Sequence, residues 1–203
     1  MNDLSETTYY WDTVYEILND IYCKYKSDFV EDVMRQVAAN LPYSIPKQFA
    51  ASFSTEGDKL ELWDRYGGEH GVALGFEFGA EYKNKHDGSN LFVMKYKQSE
   101  LIDFVNKAVR LTYDKIFIDK DSHPGIDEPY DEDLDPGRSE YSEQCSLAAN
   151  TIYMSLYRNV WNFKNPYFSG ESEIRLAVEE RDVQKDEVNY RVSGSLLVPY
   201  IEL

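Results

Sequence analysis

In 203 residues, 37 acidic side chains stand against 21 basic ones, a formal net charge of −16, with 42% hydrophobic and 15% aromatic residues. That is apolar material for one sizeable core and too much for a disordered chain, while the charge opposes broad electrostatic binding to nucleic acid. No uncharged apolar run approaches the roughly 20 residues of a membrane span, and Met1-Asn2-Asp3-Leu4-Ser5-Glu6 has neither the basic region nor the apolar core of a signal peptide, so a soluble, acidic, cytoplasmic single domain over 1–203 is expected.

Residues 8–40 carry the clearest helical signal: Trp11, Val14, Tyr15, Leu18, Ile21, Tyr22, Tyr25, Phe29, Val33 and Val37 recur at steps of three and four. Asp28 followed by Glu31 resembles a capping box and predicts a restart, and Pro42 and Pro46 end the helix. Gln48–Ser54 alternates Phe49, Ala51 and Phe53, the period of a strand. Asp58-x-x-Glu61 is a second capping-box pattern, opening a short helix with Leu62, Trp63 and Tyr66 that Gly67-Gly68 stops. Gly71–Phe78, an almost unbroken apolar run, reads as a buried central strand. Leu91–Lys97 reads as a strand and Ser99–Phe117 as a helix.

Residues 119–143 break this pattern with ten acidic residues and two basic ones, together with Pro124, Pro129 and Pro136. Asp131-x-Asp133-x-Asp135 opens like a calcium loop, but Pro136 stands where the turn glycine belongs and Ser142 at the twelfth position. A mobile, solvated acidic loop is expected instead. Beyond it, Tyr141, Cys145, Ala148, Ala149, Ile152, Leu156 and Val160 mark a helix ending near Trp161, and strands follow at Glu173–Glu179, Val188–Val192 and Ser195–Leu203. The order predicts an α+β fold, a mostly antiparallel mixed sheet with packed helices. Cys23 and Cys145, each at an apolar helical position, read as lone thiols, and the scattered His70, His86 and His123 offer no zinc spacing. No metal or cofactor is required by the sequence.

Several motifs occur in a telling order: Ser52-Phe53-Ser54-x-x-Gly57-Asp58-x-Leu60-x-x-Trp63-x-x-Tyr66-Gly67, then Gly71-Val72-Ala73-Leu74-Gly75-Phe76, then Lys164-x-Pro166-x-Phe168-x-x-Glu171-x-Glu173-x-Arg175-Leu176, and finally Pro199-Tyr200-Ile201-Glu202-Leu203. With Asn2-Asp3-Leu4-Ser5-Glu6, this set resembles the bacterial and phage family called domain of unknown function 2971. Members of that family usually carry a Tyr-x-Tyr-Arg segment before the Asn-Asp motif and a further strand after the Pro-Tyr-x-Glu-Leu segment, so against that pattern the chain reads as shortened at both ends.

A more distant likeness is to ADP-ribosyltransferases, which run an Arg or His on a first strand, a Ser-x-Ser on a second and a Glu-x-Glu before a late strand. Ser52-x-Ser54 and Glu171-x-Glu173 stand in that order here. The resemblance implies an NAD-binding, glycosyl-transferring protein acting in conflict between bacteria and phages. Cleaving the nicotinamide–ribose bond builds positive charge on the ribose, which a fixed carboxylate stabilises. By resemblance Glu173 holds that ribose, Glu171 orients or activates the acceptor, Ser52 and Ser54 support the NAD pocket, and Trp63, Tyr66 or Phe168 stacks on the cationic ring. Arg175, two residues after Glu173 on a strand, shares its face.

A plainer account stands beside it. Ser52 and Ser54 face solvent, Glu173 and Arg175 pair on an exposed sheet face, Asp58 is an N-cap, and Lys164 is a surface lysine. Two functional alternatives also remain open, a non-catalytic ligand-binding or regulatory module and a metal-dependent hydrolase or nuclease using clustered carboxylates such as Asp58. Unpaired sheet edges predict a homodimer.

Overall fold

The computed structural model describes residues 4–25, 27–40, 48–77, 90–116 and 138–202. The fold is α+β with antiparallel sheets, and its described residues divide into two compact units, each assembled from two separated stretches of chain.

The first unit comprises residues 1–45 and 95–166. Its helices are α1 (Leu4–Tyr25), α2 (Asp28–Asn40), α4 (Gln98–Ile116) and α5 (Arg138–Asn159). Each turns a stripe at three- and four-residue spacing into one core: Tyr10, Val14 and Leu18 from α1; Phe29, Val33 and Val37 from α2; Leu101, Val105 and Val109 from α4; Cys145, Ile152 and Leu156 from α5. The restart expected at Asp28 is where α2 begins, but the residue preceding the helix is buried Ser27, whose carbonyl accepts the Glu31 N–H at 3.0 Å. α2 stops at Asn40, and Pro42 and Pro46 lie outside the described residues. Of the acidic stretch expected as a loop over 119–143, residues 138–143 belong to α5, which starts earlier than the apolar periodicity signals, and 119–137 lie outside the described residues. Both thiols are free. Cys145 is in the core, but Cys23 is exposed on α1, contrary to its expected apolar position.

Two polar contacts are built into this helical unit. Lys164, expected at the surface, is buried and donates to Glu6 at 3.0 Å, with the two side chains 7% and 12% exposed. The Asn2–Glu6 segment and the motif that opens at Lys164 therefore meet through an ion pair. Tyr10, fully buried, donates its hydroxyl to the Leu156 carbonyl at 2.8 Å. Burial pushes the Tyr10 phenol well above its ordinary range. Because the folded state resists ionisation, the stabilising contribution is whole below about pH 10, the unfolded value, and falls as the pH rises past it. Tyr10→Phe is expected to cost about 1 kcal/mol at neutral pH. In denaturant titrations the gap between variant and parent will narrow above about pH 10; a constant gap would show the phenol to be solvated.

The second unit, residues 46–94 and 167–203, carries the sheets. β1 (Gln48–Ser54) and β3 (Glu173–Glu179) coincide with the expected strands, β2 spans Asn90–Val93, and β4 (Asn189–Ser193) and β5 (Leu196–Tyr200) form a hairpin. Gly194, at φ 60°, supplies the left-handed conformation that a two-residue primed turn demands first. β3 is the central strand of a three-stranded antiparallel sheet in the order β1-β3-β2. The central strand expected at Gly71–Phe78 is not formed. With β1 and β2 flanking β3, residues 71–77 run exposed without regular structure, and Phe78 lies outside the described residues. Phe76 still reaches Phe53, ring centroids 5.4 Å apart and edge-on.

Candidate functional site

The register between β1 and β3 builds the site. Ser52 lies opposite Arg175 and Ser54 opposite Glu173, so these four side chains share one face of the sheet, while Phe49, Ala51, Phe53, Ile174, Leu176 and Val178 share the other. The Ser52 hydroxyl donates diagonally to Glu173 Oε1 at 2.5 Å. Arg175 Nε donates to the same oxygen at 2.8 Å, and Nη2 to Oε2 at 3.2 Å. The Glu173 and Arg175 side chains are only 4% and 7% exposed. The exposed-pair account of Glu173 and Arg175 is thereby overturned. A buried carboxylate is tolerated only when paired and hydrogen-bonded, and here both oxygens are fixed in direction. Ser52 itself is exposed, as the solvent-facing account has it, yet its hydroxyl bonds the buried carboxylate.

Glu171 ends a 3₁₀ segment, Pro166–Glu171, just before β3. Its side chain is 10% exposed, and its Oε1 accepts from Arg65 Nη1 at 2.9 Å and from the Tyr66 hydroxyl at 3.0 Å. Its backbone carbonyl accepts from the Ser54 hydroxyl at 2.8 Å. Between the two glutamates, Ser172 adopts φ 46°, a left-handed conformation that a residue with a Cβ occupies at some cost. The Thr55 N–H pins it by donating to the Ser172 carbonyl at 3.0 Å, and Lys59 Nζ reaches its hydroxyl at 3.5 Å.

The segment facing Glu171 is not the regular helix expected. One α turn, α3 (Leu60–Leu62), runs into a π turn at Trp63–Gly67 and a 3₁₀ turn at Gly68–His70. The capping box is absent: Lys59 is the N-cap and makes no side-chain cap, and Asp58 instead accepts the indole N–H of Trp63 at 2.7 Å. A π turn is closed by i→i+5 bonds and is wider than an α turn. Here it delivers consecutive residues, Arg65 and Tyr66, to one carboxylate oxygen. Glycine is required where the chain folds back, because a Cβ on Gly71 would lie 2.2 Å from the Gly67 carbonyl oxygen.

Of the expected site residues, Ser52, Ser54, Glu171, Glu173 and Arg175 are linked through hydrogen bonds and strand pairing. Tyr66 touches Glu171 directly, and Phe168 joins through Arg65, whose guanidinium carbon is 5.5 Å from its ring centroid. Trp63 is tied to Asp58 and packs on Gly67, and its indole N–H is directed to Asp58 and not to either glutamate. Sequence reasoning missed Arg65, although it is the basic residue within Trp63-x-x-Tyr66-Gly67. Among the described residues no group of three or more His, Cys, Asp or Glu side chains converges to hold a metal, so the carboxylate-clustered hydrolase alternative finds no ligand set there. No helix among them is long and apolar enough to cross a membrane.

No curated protein and no solved structure matches the chain. One family, described as a protein of unknown function (DUF2971), matches residues 62–176. That span holds Trp63, Arg65, Tyr66, Phe168, Glu171, Glu173 and Arg175, with Ser52 and Ser54 just ahead of it. Covering more than half the chain, and agreeing with the ordered motifs, the match makes this protein a member of the DUF2971 family.

Proposed function

We propose that the Ser52–Glu173–Arg175 face, together with Glu171, binds NAD and transfers its ADP-ribosyl group. The observation that carries this reading is the doubly held Oε1 of Glu173, with Ser52 at 2.5 Å and Arg175 at 2.8 Å. A carboxylate whose direction is preset stabilises developing positive charge without reorganising during the reaction. In the proposed reaction the ribose–nicotinamide bond breaks and its electron pair leaves on neutral nicotinamide. Glu173 faces the cationic ribose carbon, and an acceptor nucleophile bonds to that carbon while Glu171 takes its proton. Tyr66 and Phe168 supply aromatic surface for the nicotinamide.

The test is calorimetry with NAD beside an assay for nicotinamide release. The parent is expected to bind NAD and release nicotinamide. Glu173→Gln should retain most of the binding and lose about 10²–10³-fold in turnover, the loss that follows removal of one electrostatic stabiliser. Glu171→Gln, whose partner Arg65 is half-exposed, serves as the second variant should loss of the buried pair unfold the first. No NAD binding by the parent, or turnover at the parent level in both variants, removes the proposal.

A second reading, a ligand-binding module without chemistry, draws on the depth of Glu173, both of whose oxygens are already bonded. It predicts NAD binding with no nicotinamide release by the parent. We further propose that residues 1–203 act as one domain in the bacterial cytoplasm. Interleaving of the two units along the chain supports the first point, and two free thiols suit a reducing compartment. Homodimerisation would use β1 or β2, the outer strands of the three-stranded sheet.

A further inference from the structure

Arg65 differs from the other cations of the cluster. Arg175 is buried, with its guanidinium committed to Glu173, and Lys59 reaches the Ser172 hydroxyl. The Arg65 side chain is 46% exposed. One terminal nitrogen is tied to Glu171 and its plane lies near the Phe168 ring, while its Nε and Nη2 donors have no protein partner among the described residues. A guanidinium offers five N–H groups in a rigid fork, and one held on one side by a carboxylate and near a ring is oriented before any ligand arrives. Charge makes the need specific. A dinucleotide brings two negative charges on its pyrophosphate, and it would meet Glu171 and Glu173 in a chain of net charge −16. Without a facing cation that approach is repulsive.

We infer that Arg65 is the anion-binding residue of this site, its open donors taking the pyrophosphate oxygens of the dinucleotide while Glu171 and Phe168 hold it in place. The inference rests on the NAD reading and adds the residue that recognises the phosphates. Arg65 is a binding residue here, and Glu171 acquires a second role as its positioning partner.

The experiment is calorimetry of the full chain with three probes, NAD, nicotinamide riboside and inorganic pyrophosphate, on the parent, Arg65→Gln and Arg65→Lys. Half-exposure of Arg65 lets the variants fold, and unchanged thermal unfolding checks it. Arg65→Gln should weaken NAD by about 10- to 100-fold, the range for losing a charge-assisted hydrogen bond. Affinity for nicotinamide riboside, which lacks the pyrophosphate, should stay within about twofold. Arg65→Lys, a point charge without the fork, should fall between the two. Tight NAD binding by the parent with equal affinity in Arg65→Gln overturns this inference and leaves the NAD reading standing. Absence of NAD binding by the parent overturns the NAD reading; pyrophosphate then decides the anion role, since binding lost in Arg65→Gln supports it and binding by neither protein ends it.

Discussion

Arg175→Met is expected to lower stability by about 3–5 kcal/mol, the cost of leaving a buried charge without its partner. Glu173 would then lose the guanidinium that bonds both of its oxygens, in a position 4% open to water. Glu173→Leu should cost a similar amount by stranding the guanidinium. The double variant, with both charges replaced by apolar side chains, should fall far short of the sum and lie near the parent or above it, because the desolvation cost of the two ions disappears together. Urea denaturation of the four proteins measures the coupling. Single variants within about 0.5 kcal/mol of the parent, the size of ordinary surface changes, would show the pair to be solvated. A strongly coupled pair that a hydrophobic pair can replace without loss of stability is one whose charges serve something other than folding, which returns attention to the carboxylate they aim.

Phe29→Ala should cost about 3–5 kcal/mol. Phe29 is fully buried at the start of α2 and meets Tyr113 of α4 edge-on, with centroids 5.1 Å apart. Truncation removes a large apolar side chain and leaves a cavity that four helices can close only partly. Leu111→Ala, on the same helix as Tyr113 but 57% exposed, should change stability by no more than about 0.5 kcal/mol. Thermal melts of the two variants would separate core from surface, and similar shifts would contradict the helical core described above.

Much of the architecture could be read from side-chain periodicity. β1 and β3 fall where alternation put them, and the helices fall where Trp11 through Val37, Ile102 through Ile116 and Tyr141 through Val160 announced them, although α4 buries Leu101, Val105, Val109 and Tyr113 and leaves Ile102 exposed. Alternation on β3 put Glu173 and Arg175 on one face but could not say whether that face is buried or exposed: an ion pair closed by a serine can be buried where isolated charges cannot, and only the β1 partner reveals it. The run Gly71–Phe78, read as a central strand, did mislead. Apolar content marks a segment that shuns water, yet the central place in the sheet belongs to β3, whose two edges are taken by β1 and β2. Arg65 was hidden because helical spacing assumes α geometry, and the π turn places neighbouring residues on a common partner in a way a three- or four-residue count does not foresee. The Ser-x-Ser and Glu-x-Glu motifs were legible as types; their hydrogen bonding was not.

Ser52 and Glu173 are 121 residues apart in the chain. A ribosome will therefore have released β1, the π turn and all four long helices before Glu171 and the strand bearing Glu173 and Arg175 emerge. Until then the serines face an unfinished sheet edge, and the carboxylates that define the site do not yet exist as a pair. Pairings of such span close late and slowly, because a long loop must be ordered before any contact rewards it. A nascent chain halted before residue 173 could hold much of its helical core, but it would have no site at all.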